Sequence, residues 1–368
     1  MAELVIPQEL RPVDGRFGSG PSKIRSAQLD YLVTIGQSVL GTSHRQAPVK
    51  ALVAEIRERL ATFFALPDGY EVILGMGGST TFWDVAAFSL VRERAAHAVF
   101  GEFTAKFAAA TGGAPWLTDP LIVQAPAGSV ALLAPAEVDL YATAHNETST
   151  GAASPIQRPA DNGLFLVDAT SAAAGMAIDV AQTDVYYFAP QKSLASDGGL
   201  WIALMSPAAL ERTAQLAASQ RYIPASLSLQ TAVENSRLEQ TLNTPALATL
   251  ALLLDQLRWL DSLGGLTGAA ARTSESSGRL YAWADASAYA DPFVSDPSLR
   301  SPVVGTIDFD EGIDAKALAA ALRANGIVDT EPYRKLGRNQ LRIGMYPAVD
   351  PEDVSALTAC IDYVIDRL

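Results

Sequence analysis

Short, nearly unbroken apolar runs at residues 98–100, 121–124, 140–144, 164–167, 185–188 and 200–205 restrict the fold of this 368-residue chain more than any other feature. An alternating strand can leave one face in water, whereas a continuous one must be covered on both. Helix-like or loop segments separate several of the runs, so the pattern predicts an α/β architecture, a mostly parallel sheet with helices on its faces. An earlier run at 72–74 leads through the turn Gly75-Met76-Gly77-Gly78 into an apolar segment, 79–91, with helical potential.

Farther on, helical patterning over 245–259 stops near Gly264-Gly265. It is followed by a helix, a strand at 303–309, a helix at 315–324, a strand at 341–345 and a terminal helix. The expected division is a large domain, 1–260, with an N-terminal loop, and a smaller C-terminal α/β domain, 261–368. In the terminal helix Val354, Leu357, Ile361, Val364 and Leu368 form an apolar stripe with Cys360 at its edge. The chain's single cysteine therefore reads as a core thiol, and no internal disulfide is available.

With 40 acids against 27 lysines and arginines, the net charge of −13 argues against nucleic acid or an anionic membrane as a partner. The sequence contains neither an apolar stretch of about 18–20 residues, the length a membrane span needs, nor a signal-peptide pattern at its start, so the expected compartment is the cytoplasm. One local exception to the acidity is 334–342, where Arg334, Lys335, Arg338 and Arg342 occur without an acid. With His44-Arg45, this cluster favours a doubly anionic substrate, because a guanidinium can grip a carboxylate and a second basic group a phosphate. The plainer alternative for the cluster is a solvated loop.

Ligands of such sheets gather at the carboxyl ends of strands. There the sequence places Asp168 and, 24 positions later, Lys192. A carboxylate able to pair with a pyridinium nitrogen and a lysine able to form an imine are two demands of pyridoxal phosphate. Gly77-Gly78-Ser79-Thr80 before a helix can cradle a phosphate, Phe103 can stack on a ring, and Thr148 can donate to a phenolic oxygen. Each has a structural alternative: Asp168 as a helix N-cap, Lys192 as a loop lysine, Phe103 as core and Thr148 as a turn former.

In chain order, Gly18-Ser19-Gly20-Pro21, Ser43-His44-Arg45, Gly77-Gly78-Ser79, Asn146-Glu147-Thr148, Val167-Asp168, Gln191-Lys192 and Asn243-Thr244-Pro245 resemble the motifs of the phosphoserine aminotransferase family, among the class V, fold-type I pyridoxal-phosphate enzymes. The likeness extends over essentially the whole chain, and its specificity lies in the ordered set. It implies the fold-type I architecture and pyridoxal 5′-phosphate held covalently by Lys192. Asp168 would pair with the ring nitrogen, Gly78, Ser79 and Gln191 would contact the phosphate, and Thr148 and Phe103 the ring. Asn243 and Thr244 would reach the cofactor of a neighbouring subunit, making a homodimer with shared sites. His44, Arg45, Lys335, Arg338 and Arg342 would bind substrate, and no metal is implied.

The chain departs from the family at Ser79, where an arginine is frequent, at Phe103, where a tryptophan is frequent, and before Arg342, where Lys335 with Arg334 or Arg338 replaces a His-Arg pair. The implied reaction is reversible transamination of 3-phosphohydroxypyruvate with L-glutamate, giving O-phospho-L-serine and 2-oxoglutarate, with 3-hydroxy-2-oxo-4-phosphooxybutanoate of vitamin B6 synthesis as a second acceptor. Competing readings are a serine- or alanine-glyoxylate aminotransferase, a cysteine desulfurase, disfavoured by the placement of Cys360, and a non-catalytic phosphate-binding α/β protein.

Overall fold

The computed structural model describes residues 4–367, so the expected leaderless start at Met1 to Glu3 and the stripe position Leu368 lie outside the described residues. The strands are β1 (Glu71–Met76), β2 (Ala95–Val99), β3 (Leu121–Gln124), β4 (Leu140–Ala144), β5 (Asn146–Glu147), β6 (Ala152–Ala153), β7 (Leu164–Asp168), β8 (Val185–Phe188), β9 (Leu200–Met205), β10 (Ala290–Pro292), β11 (Val304–Phe309) and β12 (Gln340–Gly344). The helices are α1 (Ser26–Val39), α2 (Ala47–Phe63), α3 (Ser79–Ser89), α4 (Glu102–Gly112), α5 (Pro207–Ala217), α6 (Leu229–Arg237), α7 (Leu247–Ser262), α8 (Gly265–Ala286), α9 (Ala315–Ala324) and α10 (Pro351–Ile365).

Seven strands form the central sheet in the order β1-β9-β8-β7-β4-β2-β3. Only β9 runs antiparallel to its neighbours; the pairs β8–β7, β7–β4, β4–β2 and β2–β3 are parallel. As the continuous apolar runs require, β2, β4, β7, β8 and β9 are buried at every position. At the sheet edge β3 alternates between half-buried and exposed.

Side-chain alternation along the strands separates two cores. Val72 and Leu74 of β1 and Tyr141 of β4 face a cluster built with α2 and α7. Ile73, Leu140 and Ala142 face the opposite cluster, with α3, α4, α5 and α6. Fully burying a leucine or isoleucine contributes about 1.5–3 kcal/mol, so these two layers hold the sheet rigid beneath the loops at its strand ends.

The C-terminal part has its own three-stranded antiparallel sheet, β10-β11-β12. Its core joins α8, α9 and α10 with Ile6 and Phe17 from the start of the chain. Though they precede the expected boundary at 260, those two residues pack in this C-terminal core, with Phe17 accepting a backbone hydrogen bond from Gly344 at 2.7 Å. Cys360 is fully buried there, its thiol 3.2 Å from the Leu10 carbonyl, and burial pushes its pKa up to about 11.

Candidate active site

Five parallel strands, β1, β2, β4, β7 and β8, send the loops from their carboxyl ends to one place. A cavity of about 200 Å³ there is lined by Gly78, Ser79, Thr80 and Trp83 after β1, Phe103 after β2, Asn146 and Thr148 after β4, Asp168 and Thr170 at the end of β7, and Gln191 and Lys192 after β8. Lys192 and Asp168, distant in sequence, thus share a single cavity.

Asp168 is buried, and every group around its oxygens donates. Oδ2 accepts from the Tyr187 hydroxyl at 2.8 Å and from Trp83 Nε1 at 3.2 Å. Oδ1 accepts from the Thr170 backbone N–H at 2.9 Å and also from the Thr170 hydroxyl, which in turn lies 2.6 Å from Ser79 Oγ. The chain beyond Asp168 makes turns rather than a helix, so the carboxylate caps one turn and still faces the cavity. Trp83, Tyr187 and Thr170 were not singled out in the sequence.

Lys192 Nζ donates to the Ser19 carbonyl at 2.7 Å, and the Tyr346 hydroxyl donates to the same oxygen at 2.8 Å. The Gly18-Ser19-Gly20-Pro21 motif is therefore a backbone brace for the lysine. Gly20 has φ +144°, and a Cβ there would stand 1.8 Å from Nζ, so the brace requires glycine. Burial, reinforced by the positive charge of Arg342, lowers the amine's pKa to about 8.

At the other end, Gly77 turns the chain with φ +108°, where a Cβ would lie 2.4 Å from Thr81 Oγ1. α3 then starts at Ser79, leaving first-turn N–H groups and two hydroxyls available to an anion. The Gln191 Oε1 and Asn146 Oδ1 atoms are buried without a hydrogen-bond partner among the described residues. Thr148 Oγ1 and Asn146 Nδ2 both reach Ser171 Oγ at 2.8 Å. An acceptor for a ring N–H, an amine of lowered pKa, an N–H cradle and an aromatic wall surround one small space. These are the groups that pyridoxal phosphate needs, and they fit it.

Arg342, on β12, enters from the small core: Nη1 donates to the Thr148 carbonyl at 3.2 Å, and the guanidinium lies 5.2 Å from the Tyr333 ring centre. Its Nε is buried without a partner, and burial lowers its pKa. Lys335 and Arg338 sit outside the cavity. Lys335 Nζ is 2.5 Å from Glu102 Oε1; Arg338 grips Asp308, with Nε 2.9 Å from Oδ2, and covers the Phe293 ring. His44 Nδ1 lies 3.1 Å from Thr244 Oγ1, and burial lowers the pKa of that imidazole. Arg45, Asn243 and Thr244 are exposed; neither they nor His44 line the cavity of their own chain.

The profile of the family described as Aminotransferase class-V matches residues 129–357. A phosphoserine aminotransferase of Nocardioides sp. is 60% identical over 370 residues, 99% of this chain and 99% of that protein. Another, from Rhodococcus jostii, is 60% identical over 99% of this chain and 98% of its own length. The chain belongs to the phosphoserine aminotransferase family of class V aminotransferases. It is a pyridoxal-phosphate-dependent transaminase. Among solved structures, a phosphoserine aminotransferase from Cytophaga hutchinsonii superposes with a TM-score of 0.89 at 21% identity, covering 96% of this chain and 100% of that one. An alanine-glyoxylate aminotransferase from Nostoc sp. superposes with a TM-score of 0.81 at 20% identity, covering 99% and 97%. These distant matches establish the shared fold. Among the described residues no helix is long and apolar enough to cross a membrane.

Proposed function

We propose that the chain transfers the amino group of L-glutamate to 3-phosphohydroxypyruvate, reversibly, giving 2-oxoglutarate and O-phospho-L-serine in the cytoplasm. The observation that carries the chemistry is the common cavity of Lys192 and Asp168; the names of the 60%-identical relatives support the phosphorylated substrate. The related acceptor 3-hydroxy-2-oxo-4-phosphooxybutanoate offers the same two anionic ends and belongs to the same reading.

Pyridoxal phosphate, when bound, supplies an electron sink conjugated to the substrate nitrogen. Lys192 would hold it, and Gly78, Ser79 and Gln191 would bind its phosphate. Asp168, its charge steadied by Trp83, Tyr187 and Thr170, would keep the ring nitrogen protonated. The Lys192 amine would also serve as the base that takes the proton from the substrate Cα and later returns one. Arg342 binds the α-carboxylate, for which its unpartnered Nε and the planar fork are suited. Phe103 and Thr148 restrain the ring, and the cavity walls keep bulk water from the proton in transit.

His44, Arg45, Asn243 and Thr244 are assigned to the site of a second copy, since they cluster apart from the cavity of their own chain. On this reading the enzyme is a homodimer with shared sites, and Lys335 and Arg338 serve the substrate phosphate. The deciding experiment compares turnover on 3-phosphohydroxypyruvate with that on unphosphorylated hydroxypyruvate and on glyoxylate, glutamate being the donor. The phosphorylated acid should be preferred by at least about 100-fold, the scale of a lost charge-assisted contact or two. Equal or better use of glyoxylate would replace the proposal with an aminotransferase of the glyoxylate type.

A further inference from the structure

Glu147 is fully buried, makes no ion pair among the described residues, and lies outside the proposed proton-transfer chemistry. It belongs to the short strand β5, whose neighbours Asn146 and Thr148 turn toward Ser171. Its own side chain points the other way, into the start of α4. There Oε2 accepts from the backbone N–H of Thr104 at 2.9 Å, that of Phe103 at 3.1 Å and the Thr104 hydroxyl at 3.0 Å. Oε1 accepts from Ser149 Oγ at 2.7 Å and Ser149 N–H at 3.1 Å. Ser149 Oγ in turn accepts from Glu102 N–H at 3.0 Å.

The first three N–H groups of α4, which a helix cannot satisfy itself, are thus all taken by Glu147 and Ser149. The fit is tight: a Cβ on Gly101 would stand 2.2 Å from Glu147 Cγ. α4 supports Phe103, which forms a wall of the cofactor cavity, and the intervening Thr148 carbonyl receives Arg342. Loss of the carboxylate's contacts to the Phe103 and Thr104 N–H groups would free the opening turn of α4, and Phe103 lies in that turn.

We infer that Glu147 is a positioning residue: its carboxylate fixes the first turn of α4 and so sets the Phe103 ring against the cofactor. The inference rests on the reading of Phe103 as the ring-facing side chain. Glu147→Gln keeps the shape but points an amide N–H₂ at donors whichever way it turns, since both oxygens face backbone N–H groups.

The test is a double-mutant cycle on cofactor affinity, measured by titrating the apo-dimer with pyridoxal phosphate and following quenching of tryptophan fluorescence. Glu147→Gln should raise Kd about 10- to 100-fold when Phe103 is present, but less than about twofold in the Phe103→Ala background. Equal losses in both backgrounds would mean that Glu147 stabilises the protein without acting through the ring, and would overturn the inference. An unchanged Kd in Glu147→Gln overturns it as well. If Phe103→Ala alone leaves Kd unaltered, the ring-facing role of Phe103 fails first, and the inference with it. Should Glu147→Gln not fold, Ser149→Ala removes one donor to the carboxylate and the acceptor for Glu102 N–H. It should then show the same dependence on Phe103 at about a threefold loss, and a loss independent of Phe103 refutes the coupling.

Discussion

Asp168→Asn is the substitution whose two consequences can be worked separately. Each carboxylate oxygen faces one hydroxyl, which can rotate to accept, and one N–H, which cannot: Trp83 Nε1 at Oδ2 and the Thr170 backbone at Oδ1. Whichever way the new amide turns, its N–H₂ meets one of these fixed donors and leaves it unsatisfied in a buried place. That costs about 1–3 kcal/mol, and it should appear as a lower urea midpoint of the apoenzyme, where cofactor plays no part. The second consequence is chemical. An amide cannot hold the ring nitrogen's proton as an anion does, and losing one preorganised electrostatic partner of this kind lowers kcat by about 10²–10³. The glutamate half-reaction, followed by the visible absorbance of the bound cofactor in a stopped-flow instrument, measures it. An Asp168→Asn enzyme that unfolds at the wild-type urea concentration and reacts within threefold of the wild-type rate would refute both the donor geometry and the role assigned to the carboxylate.

Lys192 yields a pH profile of definite sign. Its amine pKa is lowered from the ordinary 10.5 to about 8, and only the neutral amine attacks an aldehyde, so covalent capture of pyridoxal phosphate by apoenzyme should accelerate roughly tenfold per pH unit until about pH 8 and then level off; a rise continuing past pH 10 would contradict the burial argument. Between pH 8 and 10.5 the unfolded chain binds the proton that the folded chain has released, so this group's contribution to stability increases with pH across that window, which urea titrations of apo Lys192→Met against the parent would reveal. Arg342→Lys keeps the charge but loses the planar fork, and KM for glutamate should rise about 10- to 100-fold with a smaller change in kcat; an unaltered KM would remove Arg342 from the substrate carboxylate. Lys335→Ala should raise KM for 3-phosphohydroxypyruvate while leaving that for glutamate within about twofold, and equal effects on both substrates would argue against a phosphate role.

The continuous apolar runs revealed the sheet because burial on both faces leaves a mark in every residue of a strand. β10 left no such mark: Ala290, Asp291 and Pro292 are short, charged and ring-closed, and they pair with β11 only because the small core brings them there. Asp168 and Lys192 were legible for a related reason, since each follows an apolar run and strand ends are where such sheets place ligands. The groups that donate to Asp168 were not. Tyr187 lies opposite Asp168 in the β7–β8 register and reads in sequence as one more residue of a buried run. Trp83 likewise reads as the apolar face of a helix, and only the approach of α3 to β7 reveals its N–H as a donor.

The basic residues show where composition alone misleads. A protein with 40 acids and 27 lysines and arginines has carboxylates to spare, so a cation that is buried with no carboxylate partner is held open by the fold against the odds. The cluster 334–342 looks uniform in sequence, yet Lys335 is matched by Glu102 from α4 and Arg338 by Asp308 from β11, acids contributed by distant segments. Arg342 is half-buried, with its Nε shut away from solvent, and alone among these three lacks such a partner among the described residues. On the proposed reading, a substrate carboxylate would meet Arg342 without having to displace another acid. A phosphate reaching Lys335 would, on the same reading, compete with Glu102 for it, an exchange in which a doubly charged group has the advantage over a single carboxylate or a neutral hydroxyl. That proposed competition would favour an acid carrying a phosphate over its unphosphorylated counterpart, and the comparison of phosphorylated with free hydroxypyruvate tests it.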